Sequence, residues 1–458
     1  LLPTAGAIGA SLFFVLSPLA VRISNALQPE GLMFFCYIVA AYAFIRWIDE
    51  NKSKHYWVAL GVTALAILAK ANAGHIGLFF VALLLAEKGF GALKTRRVWA
   101  FAILSLLPAT LWYKHANSLW LDYGNSLGVS NEYHWVGWDL FTDPTFITGI
   151  LRQEVLNVWT PMGITALGFA VFFAKGRKEL KYCLFWLIAV FVYYLLAART
   201  TGEDWSVYYH VVSVPAVAIL VGAGGEGLYS HLKRTSLETL PLIVLGCSCL
   251  LVVLTGLALH SKVTAASGLV GALFFIGVMP YLKRLNTWRA EENPKRMGYP
   301  IQILVALATV SLVSVFLFQA KTLRWDFHPR FMMGLHSCAQ DFGPYIPAGT
   351  LIIASGSNCR DEKGYPIAYN ASHFFYWLDR KGFNTCTEKQ SIEGIRDFVR
   401  RGARYFIAER DKIAEKPGFE TALRGEFRLL KECQSAILFD LYSRPFHRNV
   451  VKMEGREG

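Results

Sequence analysis

Charged residues are scarce in this chain of 458 residues. Asp, Glu, Lys and Arg together make up 17% of it, whereas a soluble domain averages about 25%. The deficit falls on the first 319 residues, where long apolar stretches follow one another. This distribution excludes an ordinary soluble globular protein and predicts an α-helical polytopic membrane protein.

Signatures of several enzyme classes are also missing. The sequence has no glycine-rich nucleotide loop, no Ser-His-Asp pattern, no internal repeat and no Cys or His spacing typical of a metal site. We therefore expect neither a metal nor a cofactor.

The chain also lacks an initial Met and a signal peptide pattern, and Leu1 opens inside an apolar run. That beginning predicts a fragment whose natural N-terminus lies further upstream.

Apolar stretches predict about eleven transmembrane helices within a membrane domain over residues 1–319. Several stretches are shorter than the ~20 residues that a perpendicular span needs, and flanking Trp, Tyr and Lys can extend them. The stretches are Leu1–Ala20, Gly31–Trp47, Tyr56–Ala69, Gly77–Ala86, Val98–Tyr113, Val155–Ala174, Cys183–Ala198, Val211–Gly222, Leu240–Leu259, Thr264–Leu282 and Ile301–Gln319.

Basic residues predict the orientation. One set of alternating loops carries 18 Lys and Arg residues and the opposite set carries 6. Because basic loops stay in the cytoplasm, the poorer set faces outward, together with the long segment His115–Glu154. Residues 320–458 then form an extracytosolic domain.

The predicted outer domain has an alternating α/β pattern, typical of a small layered sheet. Its four cysteines, Cys338, Cys359, Cys386 and Cys433, allow three pairings in an oxidising compartment, and we predict a Cys359–Cys386 bond. The predicted elements are strands Thr350–Ser355 and Arg404–Glu409, helices Ser372–Lys381 and Ser391–Arg401, and a hairpin of Phe427–Leu430 with Ala436–Tyr442.

Lys70 lies between two apolar runs that only a few residues connect. A charge at membrane depth costs about 2.5–3.5 kcal/mol on insertion scales. The position therefore indicates a functional cation. The structural alternative is a lysine at a helix end whose ammonium reaches the interface along its own stem.

Two further polar clusters border apolar runs on the predicted outer face. Tyr208-Tyr209-His210 precedes Val211, where an interfacial aromatic belt is an equally good explanation. Gln28-Pro29-Glu30 opens another span. A Pro and an acid are also ordinary structural residues in the first turn of a helix.

Six segments carry short motifs: Ser24–Met33, Leu68–Lys70, Leu111–Ala116, Tyr208–Pro215, Phe375–Gly382 and Arg401–Tyr405. Together they resemble the GT-C class of integral-membrane glycosyltransferases, in particular relatives of bacterial protein O-mannosyltransferases and of the lipid A aminoarabinose transferase. Their order along the chain and their shared outer-face placement strengthen a resemblance that each motif carries only weakly. Three positions depart from the pattern: Asn25 replaces Arg, His210 replaces Gln, and Val212 replaces Pro.

The resemblance implies transfer of a sugar from a polyprenyl-phosphate carrier to an acceptor on the outer face, without a nucleotide sugar. A glycan, a lipid and a protein all remain possible acceptors. Lys70 and Tyr209 are candidates to hold the phosphate. Tyr208, His210, His115 and Gln28 are candidates for the donor site.

In the GT-C family that this chain resembles, the catalytic carboxylate belongs to an outer loop, and the resemblance implies that this loop would precede Leu1. Glu30 is therefore a second-rank candidate for that role. We expect the chain as given to be inactive unless Glu30 substitutes for the missing group. A polytopic transporter or lipid-linked sugar flippase explains the spans and Lys70 equally well. It does not explain the long outer segment and the outer domain. A structural assembly factor of the envelope without chemistry is a third possibility.

Overall fold

The computed structural model describes residues 2–25, 28–123, 137–234, 239–262, 264–273, 333–362, 364–367 and 371–443. These residues form two compact units. The first lies within residues 1–110 and 135–327, and the second within residues 111–134 and 328–458. The predicted boundary between residues 319 and 320 lies outside the described residues and stays a prediction.

Helices dominate the described chain before residue 274. The helices are α1 Thr4–Leu16, α2 Pro18–Asn25, α3 Glu30–Glu50, α4 Ser53–Ala69, α5 Ile76–Lys88, α6 Arg96–Tyr123, α7 Trp138–Thr142, α8 Pro144–Gln153, α9 Thr160–Phe173, α10 Lys178–Leu196, α11 Ala198–Gly202, α12 Val214–Arg234, α13 Thr239–Ala258 and α14 Thr264–Leu273. Helices α3 and α5 end at residues with positive φ, Asn51 with φ 51° and Gly89 with φ 69°, a common way to terminate a helix.

Among the described residues, five helical segments are long and apolar enough to cross a membrane. Counting the bent pair α1 and α2 as one span makes six. The segments are Glu30–Glu50, Ala71–Lys88, Pro144–Phe173, Lys178–Leu196 and Ser206–His231. The predicted spans Ile301–Gln319 and, in part, Thr264–Leu282 lie outside the described residues. The membrane-protein class is confirmed, and the number of spans stays a prediction.

Helix α3 illustrates why these helices suit a lipid environment. Met33, Tyr37 and Phe44 are buried on its inner face, whereas Leu32 and Phe35 are 53% and 65% exposed on its outer face. A helix that is apolar on all faces lies either in the core of a large protein or in a membrane, and the membrane accounts for the exposed apolar face of α3. The exposed apolar residues therefore mark the lipid-facing side.

Glycine allows α8 and α11 to touch through their backbones. A Cβ atom on Gly149 would collide with the carbonyl of Gly202, and a Cβ atom on Gly202 would collide with the backbone of Phe146. Because neither residue has a side chain, α11 lies directly against α8. This contact holds the short helix α11 beside the polar cluster described below.

The second unit contains a five-stranded sheet with the order β2-β1-β3-β5-β4. Strands β1, β2 and β3 are parallel, and β5 pairs antiparallel with both β3 and β4. The strands are β1 Leu351–Ser355, β2 Lys381–Thr385, β3 Ala403–Glu409, β4 Arg428–Glu432 and β5 Ala436–Asp440. The helices are α15 Met333–Phe342, α16 Ser372–Leu378, α17 Ile392–Arg400, α18 Arg410–Ala414 and α19 Phe419–Glu426.

Alternating side chains of the sheet form two cores. Ile352 and Ile407 pack with α15 and α16 on one face, whereas Phe406 on the opposite face packs with the remaining helices. The structure confirms the predicted layered α/β arrangement with its closing hairpin.

Strand β2 departs from the sequence prediction, which placed a helix as far as Lys381. The helix ends at Leu378 because Asp379 adopts a left-handed conformation with φ 50°. Gly382, with φ 151°, then brings the backbone of β2 against Ile352, where a Cβ atom would overlap the backbone.

Two disulfide bonds lie within the second unit. The predicted Cys359–Cys386 bond is confirmed, with Cα atoms 5.5 Å apart, and Cys338 pairs with Cys433, with Cα atoms 5.9 Å apart. Disulfides persist in oxidising compartments. Their presence therefore agrees with an extracytosolic position, which stays a prediction.

Candidate functional site

Lys70 occupies the break between two apolar helices. Helix α4 ends at Ala69, Lys70 is extended with φ −157° and ψ 119°, and a 3₁₀ turn, Ala71–His75, leads into α5. The side chain of Lys70 is only 20% exposed. A lysine held here by short connections needs an anionic partner within the protein or in a ligand.

Glu30 supplies that partner within the protein. It is the first residue of α3, and its side chain is 3% exposed. Its Oε1 accepts a hydrogen bond from Lys70 Nζ, and the two groups form an ion pair. The carboxylate and the ammonium therefore stabilise each other in a place where either charge alone would be costly.

Tyr208 and Tyr209 cover the same ammonium group. They belong to a 3₁₀ segment, Asp204–Ser213, and their ring centroids lie 4.7 and 4.2 Å from Lys70 Nζ. Both distances suit cation–π contacts. The predicted convergence of Lys70 and Tyr209 is confirmed. The four residues Glu30, Lys70, Tyr208 and Tyr209 are called the Lys70 cluster below.

A polar network continues from the Lys70 cluster through the 3₁₀ turn. Asn72 Nδ2 donates to the Tyr193 hydroxyl over 3.1 Å. His75 stacks on the Tyr193 ring with centroids 4.3 Å apart, and its Nε2 lies 2.9 Å from the Tyr37 hydroxyl. Sequence reasoning missed Asn72 and Tyr193, although Asn72 lies only two residues beyond Lys70.

Two buried acceptors of this network lack hydrogen-bond partners within the described part of the chain. They are Glu30 Oε2 and Asn72 Oδ1. Buried polar groups in proteins are nearly always paired, so each exception calls for an explanation such as a ligand. Both atoms only accept hydrogen bonds, so a matching ligand group must donate them.

A second polar cluster centres on His210, whose side chain is completely buried. His210 Nδ1 lies 2.7 Å from Glu154 Oε1, and its Nε2 lies 2.7 Å from the carbonyl oxygen of Thr201. Ser213 Oγ donates to the same Glu154 oxygen over 3.0 Å, and Trp159 Nε1 donates to Oε2 over 3.2 Å. Sequence reasoning missed Glu154, which immediately precedes a predicted span.

The remaining predicted residues lie elsewhere. Gln28 is exposed just before α3. His115 is exposed on α6, with its ring 5.9 Å from Trp112, and belongs to the second compact unit. His210 is 0% exposed, and both of its ring nitrogens bond within the protein. The donor-binding roles of Gln28, His115 and His210 stay predictions.

One group of described residues has the spacing of metal ligands: Cys359, Cys386 and Glu388. The two sulfur atoms are joined in a disulfide, so they are not thiolates. Glu388 accepts hydrogen bonds from the backbone N–H groups of Cys359 and Arg360, over 2.8 and 3.1 Å. These contacts assign this group a structural role in the loop.

Residues 1–113, about a quarter of the chain, match the family model of dolichyl-phosphate-mannose-protein mannosyltransferases. This part of the chain resembles GT-C membrane glycosyltransferases. The match confirms the resemblance predicted from the motifs and includes both Glu30 and Lys70.

Two crystal structures of ArnT from Cupriavidus metallidurans are also similar to this chain, one bound to undecaprenyl phosphate and one in the apo state. Each has a TM-score of 0.44 and 12% sequence identity. The alignments cover 99% and 95% of this chain, and 80% and 82% of the ArnT chain. No curated protein sequence matches this chain significantly.

Proposed function

We propose that the protein is a membrane glycosyltransferase that moves a sugar from a polyprenyl-phosphate carrier to an acceptor on the outer face of a bacterial inner membrane. The observation that carries the proposal is the Lys70 cluster. It combines a cation, two phenols and a carboxylate within segments that border apolar helices. The mannosyltransferase family match of residues 1–113 supports the same class of reaction.

In this proposal Lys70 receives the phosphate of the donor. The phosphate becomes the leaving group, and its negative charge grows as the bond to the sugar breaks. A preorganised cation whose interaction strengthens with that charge lowers the barrier, typically by about 3–4 kcal/mol for one well-placed group. The phenols of Tyr208 and Tyr209 flank Lys70 and are suitable hydrogen-bond donors to phosphate oxygens.

The unpaired acceptors fit the sugar itself. Glu30 Oε2 and Asn72 Oδ1 accept no hydrogen bond from the described residues, and sugar hydroxyls are donors. A glycosyl phosphate offers both an anion for Lys70 and hydroxyl groups for these two atoms. The polyprenyl tail has apolar helix surfaces such as the outer face of α3 available to it.

Glu30 has two possible roles in this reaction. As a general base it would take the proton of the acceptor hydroxyl, a contribution of about 10²- to 10⁴-fold. As a positioning residue it would hold Lys70 in place through their ion pair. The burial of Glu30 and its direct contact with Lys70 favour the positioning role.

The test measures binding of polyprenyl phosphate to the purified chain and sugar transfer from polyprenyl-phosphate donors. Lys70→Met is expected to weaken phosphate binding strongly. Lys181→Met is the matched control, because Lys181 also pairs with a carboxylate, Glu87 over 3.0 Å, but lies at an exposed position. Equal phosphate affinity of wild type and Lys70→Met would overturn the proposal.

The same preparation also distinguishes the rival class of function. A transporter reconstituted in vesicles would move a labelled lipid-linked sugar between leaflets and leave the sugar on its carrier. Transfer of the sugar to an added acceptor supports the enzyme. Movement between leaflets without any cleavage of the sugar phosphate would replace it with a flippase.

A further inference from the structure

The hydrogen-bond partners of His210 determine where one of its protons lies. Its Nε2 faces the carbonyl oxygen of Thr201, and a carbonyl oxygen can only accept. Nε2 therefore carries a proton. The other ring nitrogen, Nδ1, faces Glu154 Oε1 over 2.7 Å. A single proton lies in this contact, and the pair has no net charge whichever atom holds it.

The carboxylate of Glu154 is held from several directions. In addition to His210, it accepts hydrogen bonds from Ser213 Oγ and Trp159 Nε1. Ser213 Oγ is in turn 2.8 Å from the Tyr194 hydroxyl. Such a fully connected buried network fixes its members rigidly, because every broken contact leaves a costly unpaired polar group.

The backbone around Glu154 is unusual. Residues Glu154–Trp159 form a π-helix, a rare conformation that is frequent at functional sites. The next residue, Thr160, has φ 55° and ψ 171°, a region that residues other than glycine rarely occupy and that costs about 1–3 kcal/mol. The surrounding fold therefore maintains an unfavourable backbone that presents Glu154 to His210.

His210 directly follows Tyr208 and Tyr209 in one 3₁₀ segment. We propose that the Glu154–His210 pair is a positioning device for the donor-phosphate site: it anchors this segment so that the two tyrosine rings stay over Lys70. This inference rests on the proposed function for its catalytic meaning. Its structural part, that the pair keeps Lys70 covered, can be measured without any activity.

Four variants test whether the hydrogen bond between positions 154 and 210 anchors the segment, rather than the particular side chains that form it. His210→Gln places an amide NH₂ group at the site, which can donate to Glu154 and so keeps the hydrogen bond that anchors the segment. His210→Leu cannot donate. Glu154→Gln keeps the shape and can donate to Nδ1, whereas Glu154→Ala keeps nothing. We expect the two Gln variants to behave like wild type and the other two to fail.

The first readout is the rate at which a small amine-reactive reagent modifies Lys70, measured by mass spectrometry of the full chain. His210→Leu and Glu154→Ala are expected to increase Lys70 labelling severalfold and leave Lys181 labelling unchanged. The second readout is the Kd for polyprenyl phosphate. It should rise about tenfold or more, the equivalent of one charge-assisted hydrogen bond, in those two variants and stay near the wild-type value in the two Gln variants.

Equal Lys70 labelling in wild type, His210→Leu and Glu154→Ala would overturn the inference, as would a His210→Gln variant as impaired as His210→Leu. If Lys181 labelling also rises, the variant has unfolded. Ser213→Ala then replaces it in the test, because this variant removes one hydrogen-bond donor to Glu154 and leaves the Glu154–His210 contact in place. Failure of the proposed function is a different result: the wild type does not bind polyprenyl phosphate, but the rate of Lys70 labelling still distinguishes the variants.

Discussion

The ion pair between Glu30 and Lys70 predicts an unequal response to the loss of either partner. Lys70→Met leaves a carboxylate that is almost fully buried, whereas Glu30→Gln leaves an ammonium whose side chain is 20% exposed. The ammonium also keeps its two tyrosine rings at 4.7 and 4.2 Å. The lysine variant should therefore be the less stable of the two.

The burial of the two side chains gives the approximate loss in the free energy of unfolding for each variant. Removing one partner of a buried pair costs about 3–5 kcal/mol when the remaining charge is uncompensated, which applies to Lys70→Met. Glu30→Gln loses mainly one hydrogen bond to a charged group, about 1.5–3 kcal/mol. The double variant leaves no buried charge. We expect its free energy of unfolding to exceed that of Lys70→Met, a coupling of at least about 2 kcal/mol.

The free energy of unfolding can be measured by titrating the purified protein in mixed micelles with a denaturing detergent and following tryptophan fluorescence. The control cycle uses Lys181 and Glu87, an exposed pair that should contribute less than about 1 kcal/mol. If the losses in the two single variants simply add in the double variant, Glu30 and Lys70 do not form the buried pair described here.

Three further predictions concern the second unit. A reporter fused at Asp361 should be active only on the outer side of the membrane, and cytoplasmic activity would reverse the predicted topology. Replacing both Cys359 and Cys386 by Ser should lower the free energy of unfolding in denaturant by about 3 kcal/mol, and an unchanged midpoint would show that the bond is absent. The hydrogen bond from Arg424 lowers the pKa of Glu432 from its ordinary value. The ionised Glu432 therefore stabilises the fold fully above its ordinary pKa, and this stabilisation is lost as the pH falls through the lowered pKa. Glu432→Gln should therefore flatten the acid side of the stability profile, and an unaltered profile would contradict the assignment.

The sequence is informative where an energetic penalty can be read directly from the order of residues. A lysine between two closely connected apolar runs is costly, and that cost alone identifies Lys70. The position of Tyr209, where a loop re-enters the membrane, suits an aromatic belt equally well, and only the family resemblance selects this residue. The contact between Lys70 and Tyr209 confirms their predicted convergence, although 139 positions separate them in the sequence.

The same rule applied to Glu154 would find the second cluster. Glu154 borders the apolar run Val155–Ala174, but the apolar pattern assigns it to the preceding loop because the run starts one residue later. The helical segment in fact begins at Pro144. A π-helix has no recognised sequence signal, so the local geometry that turns Glu154 inward is not predictable.

Partners that come from distant segments are also beyond the sequence. Nothing near Asn72 indicates that its amide meets Tyr193, and nothing near His210 indicates Glu154. Strand β2 escapes prediction for a different reason, because the sequence Lys381–Thr385 is short and contains Gly382. Its strand conformation depends on pairing with β1, a contact that local propensity does not express.

The two disulfides impose an order on biosynthesis. Cys359 and Cys386 are 27 residues apart, but Cys433 follows Cys338 by 95 residues. In the predicted extracytosolic position of the second unit, and at about 5–20 residues per second, Cys338 would reach an oxidising compartment roughly 5–20 s before its partner exists. During that interval Cys359 is the nearest thiol and a wrong partner. Correct maturation therefore requires Cys338 to stay reduced until translation ends, or a thiol exchange that releases it, and cells lacking a disulfide isomerase should accumulate the mispaired form.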